Sequence, residues 1–169
     1  MWTIWSNRSA TRTRSRAGKA SFGGKWIQGA IASYRYNRDP ELYQIIKDAA
    51  ESLMATQLPN GYIGNYAPEY QLQQWDVWGR KYTSLGLIAW YDLSGDKKAL
   101  EAACRVVDHL MTQVGPGKVD IVSTGNYIGM PSSSVLEPVM YLYNRTKEKR
   151  YLDLPNILSD NGRHPVVRS

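Results

Sequence analysis

The apolar residues of this chain recur at helical spacing in three similar stretches. Each stretch runs through an apolar helical pattern to a tyrosine, crosses a short polar turn, and reaches a leucine eight or nine residues after that tyrosine. The tyrosines are Tyr34, Tyr91 and Tyr143, which lie 57 and then 52 residues apart. An internal period of this length is typical of stacked helical hairpins, in which each hairpin buries its apolar face against its neighbours.

The residues at the turns indicate where the second helix of a hairpin begins. Asp39-Pro40 and Asp96 supply an N-cap carboxylate or a proline suited to the first helical turn. The spacing predicts helices near 24–36, 40–57, 80–93, 97–114 and 132–146, with no sheet in the core. We therefore expect an all-α fold, an incomplete solenoid or toroid of about two and a half to three hairpins.

The last hairpin is expected to lack a packing partner. Val135, Val139, Met140 and Leu142 should pack on a following helix, but Pro155 and the pair Asn161-Gly162 oppose a long helix there. Exposed apolar surface of this kind drives association. The sequence therefore predicts self-association through an unclosed flank of the third hairpin.

Two long loops, at 58–80 and 115–131, interrupt the hairpins and are expected to lie on one rim. They interleave aromatic rings with amide and carboxylate side chains, as a sugar site requires, because ring faces stack on C–H groups while polar groups bond hydroxyls. Carbohydrate is therefore the expected ligand, and the alternative is that the rings only fill the gap between hairpins. The candidate sugar-binding residues are Trp75, Asp76, Trp78, Asn126 and Tyr127.

Composition narrows the class of protein. The chain has 169 residues, of which 43% are hydrophobic, and no apolar run approaches the roughly 20 residues of a membrane-spanning helix. No signal peptide is visible and no membrane partner is expected. The sequence assigns the protein to no particular cellular compartment. The single cysteine, Cys104, allows neither an internal disulfide nor a zinc site built from several thiolates.

The net charge of +6 is concentrated at the chain ends. Residues 1–22 carry five basic and no acidic side chains, whereas residues 23–153 carry 14 of each sign. Stretches rich in arginine and serine are usually solvated or disordered. We therefore expect no nucleic-acid partner.

The titratable residues do not form a recognisable catalytic set. No Ser-His-Asp order, metal-ligand spacing or phosphate-binding glycine loop is present, so the sequence assigns no catalytic and no metal-binding residue. Cys104 is expected in the core, His109 on a helix surface, and Glu137 as a buried hydrogen-bond acceptor. The other acids are explained as helix starts or helix surface: Asp39, Asp96, Glu148, Glu51, Glu101 and Asp108.

Several short motifs follow one another along residues 23–153. They are Gly24-Lys25-Trp26-Ile27, the segments QLPNGYIG at 57–64 and WDVWGRKY at 75–82, Gly86-Leu87, Ser94-Gly95-Asp96, and SSSVLEP at 132–138. Together and in this order, these motifs resemble the β-L-arabinofuranosidases of glycoside hydrolase families 127 and 146. The resemblance implies an (α/α)6 toroid followed by β-sandwich domains, with this chain as about the first half of the toroid.

The resemblance also implies which chemistry this chain lacks. The families use a zinc-bound cysteine nucleophile, with further cysteines and a glutamate, and a glutamate acid/base, all in the second half of the toroid. Cys104 matches none of these positions. The chain is therefore expected to be a fragment of an enzyme that acts on arabinofuranosides of plant cell walls. The fragment alone is expected to be inactive and to bind no cofactor. Tyr127 stands where the families lead us to expect histidine after Gly125-Asn126. The alternatives are a noncatalytic carbohydrate-binding module and an α/α scaffold for protein contacts.

Both ends depart from the family pattern in a way that suggests shifted reading frames. Residues 154–165 can be encoded so that a shifted frame reads AEYIVRQWETP, the expected continuation, and residues 17–26 so that it reads WQGEFWGKW. The expected organisation is a basic, disordered tail at 1–22, the partial toroid at 23–153 and a second tail at 154–169. The alternative is a divergent natural tail at each end.

Overall fold

The computed structural model of the chain describes residues 19–154, which form consecutive helical hairpins. The first hairpin contains α1 (Lys19–Asn37) and α2 (Pro40–Ala55), and the second contains α3 (Asp76–Ser94) and α4 (Lys97–Gln113). A short helix α5 (Met130–Ser133) precedes α6 (Leu136–Thr146), and residues 150–154 are again helical. Between residues 19 and 154 there is no β-strand, only a single bridge pair. The predicted all-α fold, an incomplete toroid of hairpins, is confirmed.

The turns inside the hairpins follow from local chemistry. The Asp39 carboxylate accepts a hydrogen bond from the Glu41 N–H at 2.9 Å, and the Asp96 carboxylate accepts one from the Lys98 N–H at 3.0 Å. These bonds satisfy N–H groups that have no partner within the first helical turn. Gly95 ends α3 in the left-handed region, at φ 74°. The predicted N-caps Asp39 and Asp96 are confirmed.

Three helix starts differ from the predicted positions. Helix α1 begins at Lys19 rather than at 24, and α3 begins at Asp76 rather than at 80. The third hairpin starts with the short α5, and α6 follows only from Leu136. Pro138 explains this last break, because a proline has no N–H to donate and is tolerated only in the first turn of a helix.

Helices α1 and α3 lie against each other at backbone contact. A Cβ atom added to Gly24 would lie 1.9 Å from the Tyr82 carbonyl oxygen, and one added to Gly86 would lie 2.7 Å from the Gly24 Cα. Helices α2 and α4 cover this pair and complete an apolar core. Buried residues of the core include Ile31, Ile46, Leu53, Leu87, Ile88, Val107 and Leu110.

The predicted open flank of the third hairpin is wrong. Val135, Val139 and Leu142 are buried, because α6 packs on α3 and α4. Met140 alone of the four predicted flank residues is exposed. Exposed apolar side chains also occur on the first hairpin, where Phe22 of α1 is 70% exposed.

Several sequence expectations lie outside the described residues. These are the disorder of the basic tail up to residue 18, the shifted reading frames at 1–18 and 155–169, and the helix-breaking roles of residues 155 and 161–162. Residues 19–22, assigned to the tail from sequence, are part of α1. None of the helices formed within residues 19–154 is long and apolar enough to cross a membrane.

Candidate functional site

The two long loops meet through their backbones. The Gly125 N–H donates to the Leu72 carbonyl at 2.8 Å, and the Asn126 N–H donates to the Gln74 carbonyl at 3.2 Å. Gly125 adopts a φ of 65°, and a Cβ atom there would lie 2.7 Å from the Gln74 oxygen, so the contact requires glycine. The loops therefore share one rim, as the sequence predicted.

An aromatic row, made of Trp75, Trp78, Tyr82 and Tyr127, lies where these loops meet. The ring centroids are 6.0 Å apart for Trp75 and Tyr127, 6.0 Å for Trp75 and Trp78, and 5.0 Å for Trp78 and Tyr82. The Trp75, Trp78 and Tyr82 side chains are partly exposed, and Tyr127 is largely exposed. The aromatic row thus presents ring surface to solvent beside polar loop residues.

Asn126 and Tyr127 hold a constrained conformation at the end of the row. Asn126 is half-buried, and its side-chain amide has no hydrogen-bond partner within the part of the chain that the structure describes. Tyr127 and Ile128 both adopt positive φ, at 54° and 53°. Ile128 is β-branched and is strained in this region, and such strain is often found at ligand sites.

Because the Asn126 amide has no partner among the described residues, it can donate a hydrogen bond to a ligand hydroxyl and accept one from it.

Asp76, predicted to bind sugar, lies inside the protein. Its Oδ1 accepts from the Tyr62 hydroxyl at 2.6 Å, and its Oδ2 accepts from the Leu72 N–H at 2.9 Å and from Arg80 Nη2 at 2.6 Å. Burial, followed by the negative charge of Asp76, raises the pKa of the Tyr62 phenol. Since Leu72 also receives the Gly125 N–H, Asp76 holds the loop on which the aromatic row is built.

His109 was expected on a helix surface and instead packs beneath this loop. Its Nδ1 lies 3.3 Å from Arg80 Nη1, and its Nε2 lies 3.2 Å from the side-chain nitrogen of Asn60. The imidazole also contacts the Tyr62 ring, with centroids 5.7 Å apart. Burial, and then the positive charge of Arg80, lower the pKa of His109.

Two lysines border the aromatic row on its other side. Lys81 is buried, and its Nζ lies 2.9 Å from Glu137 Oε2 and 5.3 Å from the centroid of the Tyr82 ring. The Lys25 Nζ lies 4.3 Å from the same centroid. Glu137 is thus an acceptor, as predicted, but its side chain is about half exposed.

Sequence reasoning missed Tyr82 as a member of the aromatic row. Tyr82 follows Trp75 and Trp78 at helical spacing and therefore shares their face of α3.

The described residues do not fit the zinc and cysteine group that the resemblance implies. Within residues 19–154 no three histidine, cysteine, aspartate or glutamate side chains come together as a metal site. Cys104 lies in the core beside Tyr151, and burial raises the pKa of its thiol. Its predicted place in the core is confirmed.

Comparison with known proteins gives consistent matches. The sequence profile of the family described as "Beta-L-arabinofuranosidase, GH127 catalytic domain" matches residues 10–166. A non-reducing end β-L-arabinofuranosidase of Bifidobacterium longum subsp. longum is 27% identical over an alignment of 155 residues, and the match covers 83% of this chain and 23% of that protein.

Two solved structures share the fold. The crystal structure of a GH127 β-L-arabinofuranosidase from Geobacillus stearothermophilus T6 superposes with a TM-score of 0.68 at 23% identity, over 86% of this chain and 24% of that one. A GH127 β-arabinofuranosidase superposes with a TM-score of 0.63 at 20% identity, over 82% and 24%. The chain therefore spans about a quarter of the length of these relatives.

Proposed function

Because the chain belongs to the β-L-arabinofuranosidase family GH127, we propose that it forms the sugar-contacting rim of a glycoside hydrolase domain acting on β-L-arabinofuranosides of plant cell-wall glycans. The match to the family profile over residues 10–166 favours this function over a separate binding module or a protein-interaction scaffold. Since the chain spans about a quarter of its relatives, the activity belongs to the longer domain.

One observation carries the sugar-binding role. The aromatic row is partly exposed and is held in place by the docked loops, with the Trp75 and Tyr127 centroids 6.0 Å apart. A furanose ring has apolar C–H faces and polar edges, so it can stack on Trp75 or Tyr127 while its hydroxyls bond the Asn126 amide. Asp76 supports this surface from below rather than binding the sugar directly.

The two carboxylates nearest the aromatic row, Asp76 and Glu137, are both engaged by basic side chains. A glycosidase needs two opposed carboxyl groups at the scissile bond, or a separate activated nucleophile. Asp76 is fully engaged inside the protein, and Glu137 is paired with Lys81. We therefore expect the isolated chain to bind arabinofuranosides without cleaving them.

Isothermal titration calorimetry with a β-L-arabinofuranosyl disaccharide tests the binding role. Loss of a stacked ring costs about 0.5–1.5 kcal/mol, so Trp75→Ala and Tyr127→Ala should each weaken binding roughly two- to twelvefold. The matched control is Tyr70→Ala, which removes an exposed tyrosine outside the aromatic row. Binding that is equally weakened by all three variants, or absent from the parent chain, would refute the role of the row.

A hydrolysis assay tests the second part of the proposal. The purified chain is incubated with p-nitrophenyl arabinofuranoside, with and without added zinc. We expect no release of p-nitrophenol under either condition. Release that tracks the purified protein would show that the chain carries its own catalytic residues.

A further inference from the structure

His109 lies where α4 meets the first long loop, and both of its ring nitrogens face nitrogen atoms. The Nδ1 atom lies 3.3 Å from Arg80 Nη1, and the Nε2 atom lies 3.2 Å from Asn60 Nδ2. A neutral imidazole has one lone pair that can accept a hydrogen bond, an imidazolium has none, and a guanidinium only donates. Protonation of His109 therefore turns a ring N–H toward Arg80 and places two cations side by side.

Arg80 is held in place on its other sides. Its side chain is 1% exposed, and its guanidinium donates to Asp76 Oδ2 and to Gln113 Oε1, each at 2.6 Å. Gln71 Oε1 accepts a further hydrogen bond from Arg80 Nη2 at 3.3 Å. The His109 side chain is only half-buried, so it is the imidazolium ring that turns away toward solvent.

The charges around His109 favour the neutral ring in the docked loop. Burial, and then the positive charge of Arg80, lower the pKa of His109, whereas the carboxylate of Asp76 acts in the opposite direction. Asp76 cannot receive the imidazolium, because its two oxygens already accept three hydrogen bonds. The other titratable neighbours are Tyr62, which faces the ring from the loop, and Arg105 and Asp108 along α4.

Tyr62 connects His109 to the aromatic row. Its ring centroid lies 5.7 Å from that of His109 and 4.7 Å from the Arg80 guanidinium. Its hydroxyl accepts a hydrogen bond from the Tyr66 N–H at 3.1 Å, and the Tyr66 hydroxyl accepts one from the Trp75 N–H at 3.3 Å. A displacement of the Tyr62 ring is therefore passed on to the backbone of Trp75.

A second connection runs through Asp76 to the other long loop. The Tyr62 hydroxyl and the Leu72 N–H both donate to the Asp76 carboxylate, and the Leu72 carbonyl accepts from the Gly125 N–H at 2.8 Å. We propose that His109 is a positioning residue for the sugar-binding rim, whose neutral ring keeps the two loops docked and whose protonation releases Gly125 from Leu72. The ligand part of this inference rests on the proposed sugar-binding function, and the release itself does not.

Hydrogen exchange of the Gly125 amide measures the release without a ligand. In the released loop the pKa of His109 returns to about 6.5, so the released state takes up a proton that the docked state does not. The protection factor of Gly125 should therefore fall about five- to tenfold between pH 7.5 and 5.5. Gly125 should also be less protected than the buried Leu87 amide of α3, because it exchanges by local opening.

His109→Gln is the test variant, because glutamine can accept a hydrogen bond from Arg80 but cannot titrate. Protection of the Gly125 amide should then be nearly the same at both pH values. Asp108→Asn is the matched control, since it removes the neighbouring carboxyl group and keeps the imidazole, so the fall in protection should persist. An NMR titration of the imidazole in the parent chain needs no variant and should give a pKa below that of an unfolded histidine.

The ligand part is tested with the β-L-arabinofuranosyl disaccharide at pH 5.5. At about ten times its Kd, the disaccharide should raise the protection of Gly125 about tenfold, because it binds only the docked loops. A disaccharide that does not bind at either pH counts against the proposed function, and the release is then judged from the exchange data alone. A disaccharide that binds without protecting Gly125 would overturn the role of His109 at the rim.

Three results of the exchange experiment would overturn the release itself. The first is a Gly125 protection factor that does not change with pH in the parent chain. The second is an equal fall in the parent and in His109→Gln. The third is a protection factor equal to that of Leu87 at both pH values, which would mean that the loops separate only when the whole chain unfolds.

Discussion

Asp76 and Arg80 form an ion pair inside the protein, one helical turn apart in α3. The Oδ2 and Nη2 atoms are 2.6 Å apart, and the two side chains are 0% and 1% exposed. Tyr62 and Leu72 donate further hydrogen bonds to the carboxylate, and Gln113 accepts one from the guanidinium at 2.6 Å. The pair therefore connects α3, α4 and the first long loop.

Removing one partner of this pair should destabilise the fold strongly. Arg80→Met leaves the Asp76 carboxylate buried without its cation, which typically costs about 3–5 kcal/mol. The free energy of unfolding in urea measures the loss. Lys47→Met is the control, because Lys47 and Glu51 are exposed and 4.0 Å apart, and it should cost less than about 1 kcal/mol. Equal effects of the two substitutions would contradict this role of Arg80.

His109 should make stability depend on pH. Its folded-state pKa is lowered by burial and by Arg80, whereas the unfolded chain has the ordinary value of about 6.5. The unfolded state therefore binds more protons, so this contribution is fully present above pH 6.5 and is lost as the pH falls through 6.5 toward the folded pKa. Urea unfolding at pH 7.5 and 5.5 measures the loss.

The matched variant for this pH effect is His109→Gln, which cannot titrate. Asp108 titrates with the opposite sign, because burial raises the pKa of its carboxyl group, and it is present in both proteins. The difference between parent and variant therefore isolates His109. If stability falls equally in both between pH 7.5 and 5.5, His109 is not the responsible group.

Two of the helical glycines of α1, Gly24 and Gly29, should respond in opposite directions to substitution by alanine. Helix propensity alone predicts that each substitution stabilises by about 1 kcal/mol. Gly29→Ala should do so, since nothing lies within 4 Å of its Cβ position. Gly24→Ala should instead lower the Tm by several degrees, because the new Cβ atom would lie 1.9 Å from the Tyr82 carbonyl oxygen in α3. A rise of Tm in both variants would mean that α1 and α3 are not in backbone contact.

Local signals predicted most of the helical framework. The Asp39 and Asp96 caps act within two residues, so the sequence pattern alone identified them. The role of Asp76 was harder to predict, because the aromatic residues around it are as typical of a loop that fills the gap between hairpins as of a sugar site. Only the fold shows that Tyr62, 14 residues away, donates to its carboxylate. His109 likewise looked like helix surface until the first long loop placed Asn60 against it.

Long-range packing set the features that the sequence did not predict. The periodicity correctly gave an apolar stripe to the third hairpin, but whether Val139 is covered depends on how α6 lies on α3 and α4. The sequence pattern likewise did not show which face of α1 is exposed, because apolar residues occur on two sides of this helix. Gly125 was a visible turn residue, yet its partner Leu72 belongs to a different loop.

That contact between loops leads to a prediction that separates positioning from stability. Gly125→Ala places a side chain at φ 65° and 2.7 Å from the Gln74 carbonyl oxygen, which should move Tyr127 away from Trp75. Affinity for the arabinofuranosyl disaccharide should fall about as much as in Tyr127→Ala. Gly117→Ala is the matched control in the same loop, with a φ of 70° and no atom within 4 Å of its Cβ position.

Both variants should lose about 1 kcal/mol of stability from strain, because an L-residue is disfavoured in the left-handed region. Gly125→Ala should lose more than Gly117→Ala, since its Cβ atom also meets the Gln74 carbonyl oxygen. Only Gly125→Ala should also weaken sugar binding, as measured by calorimetry at a temperature where both variants are fully folded. If Gly117→Ala weakens binding equally, loop strain alone controls affinity. If neither does, the 2.8 Å bond from Gly125 to Leu72 does not position the aromatic row.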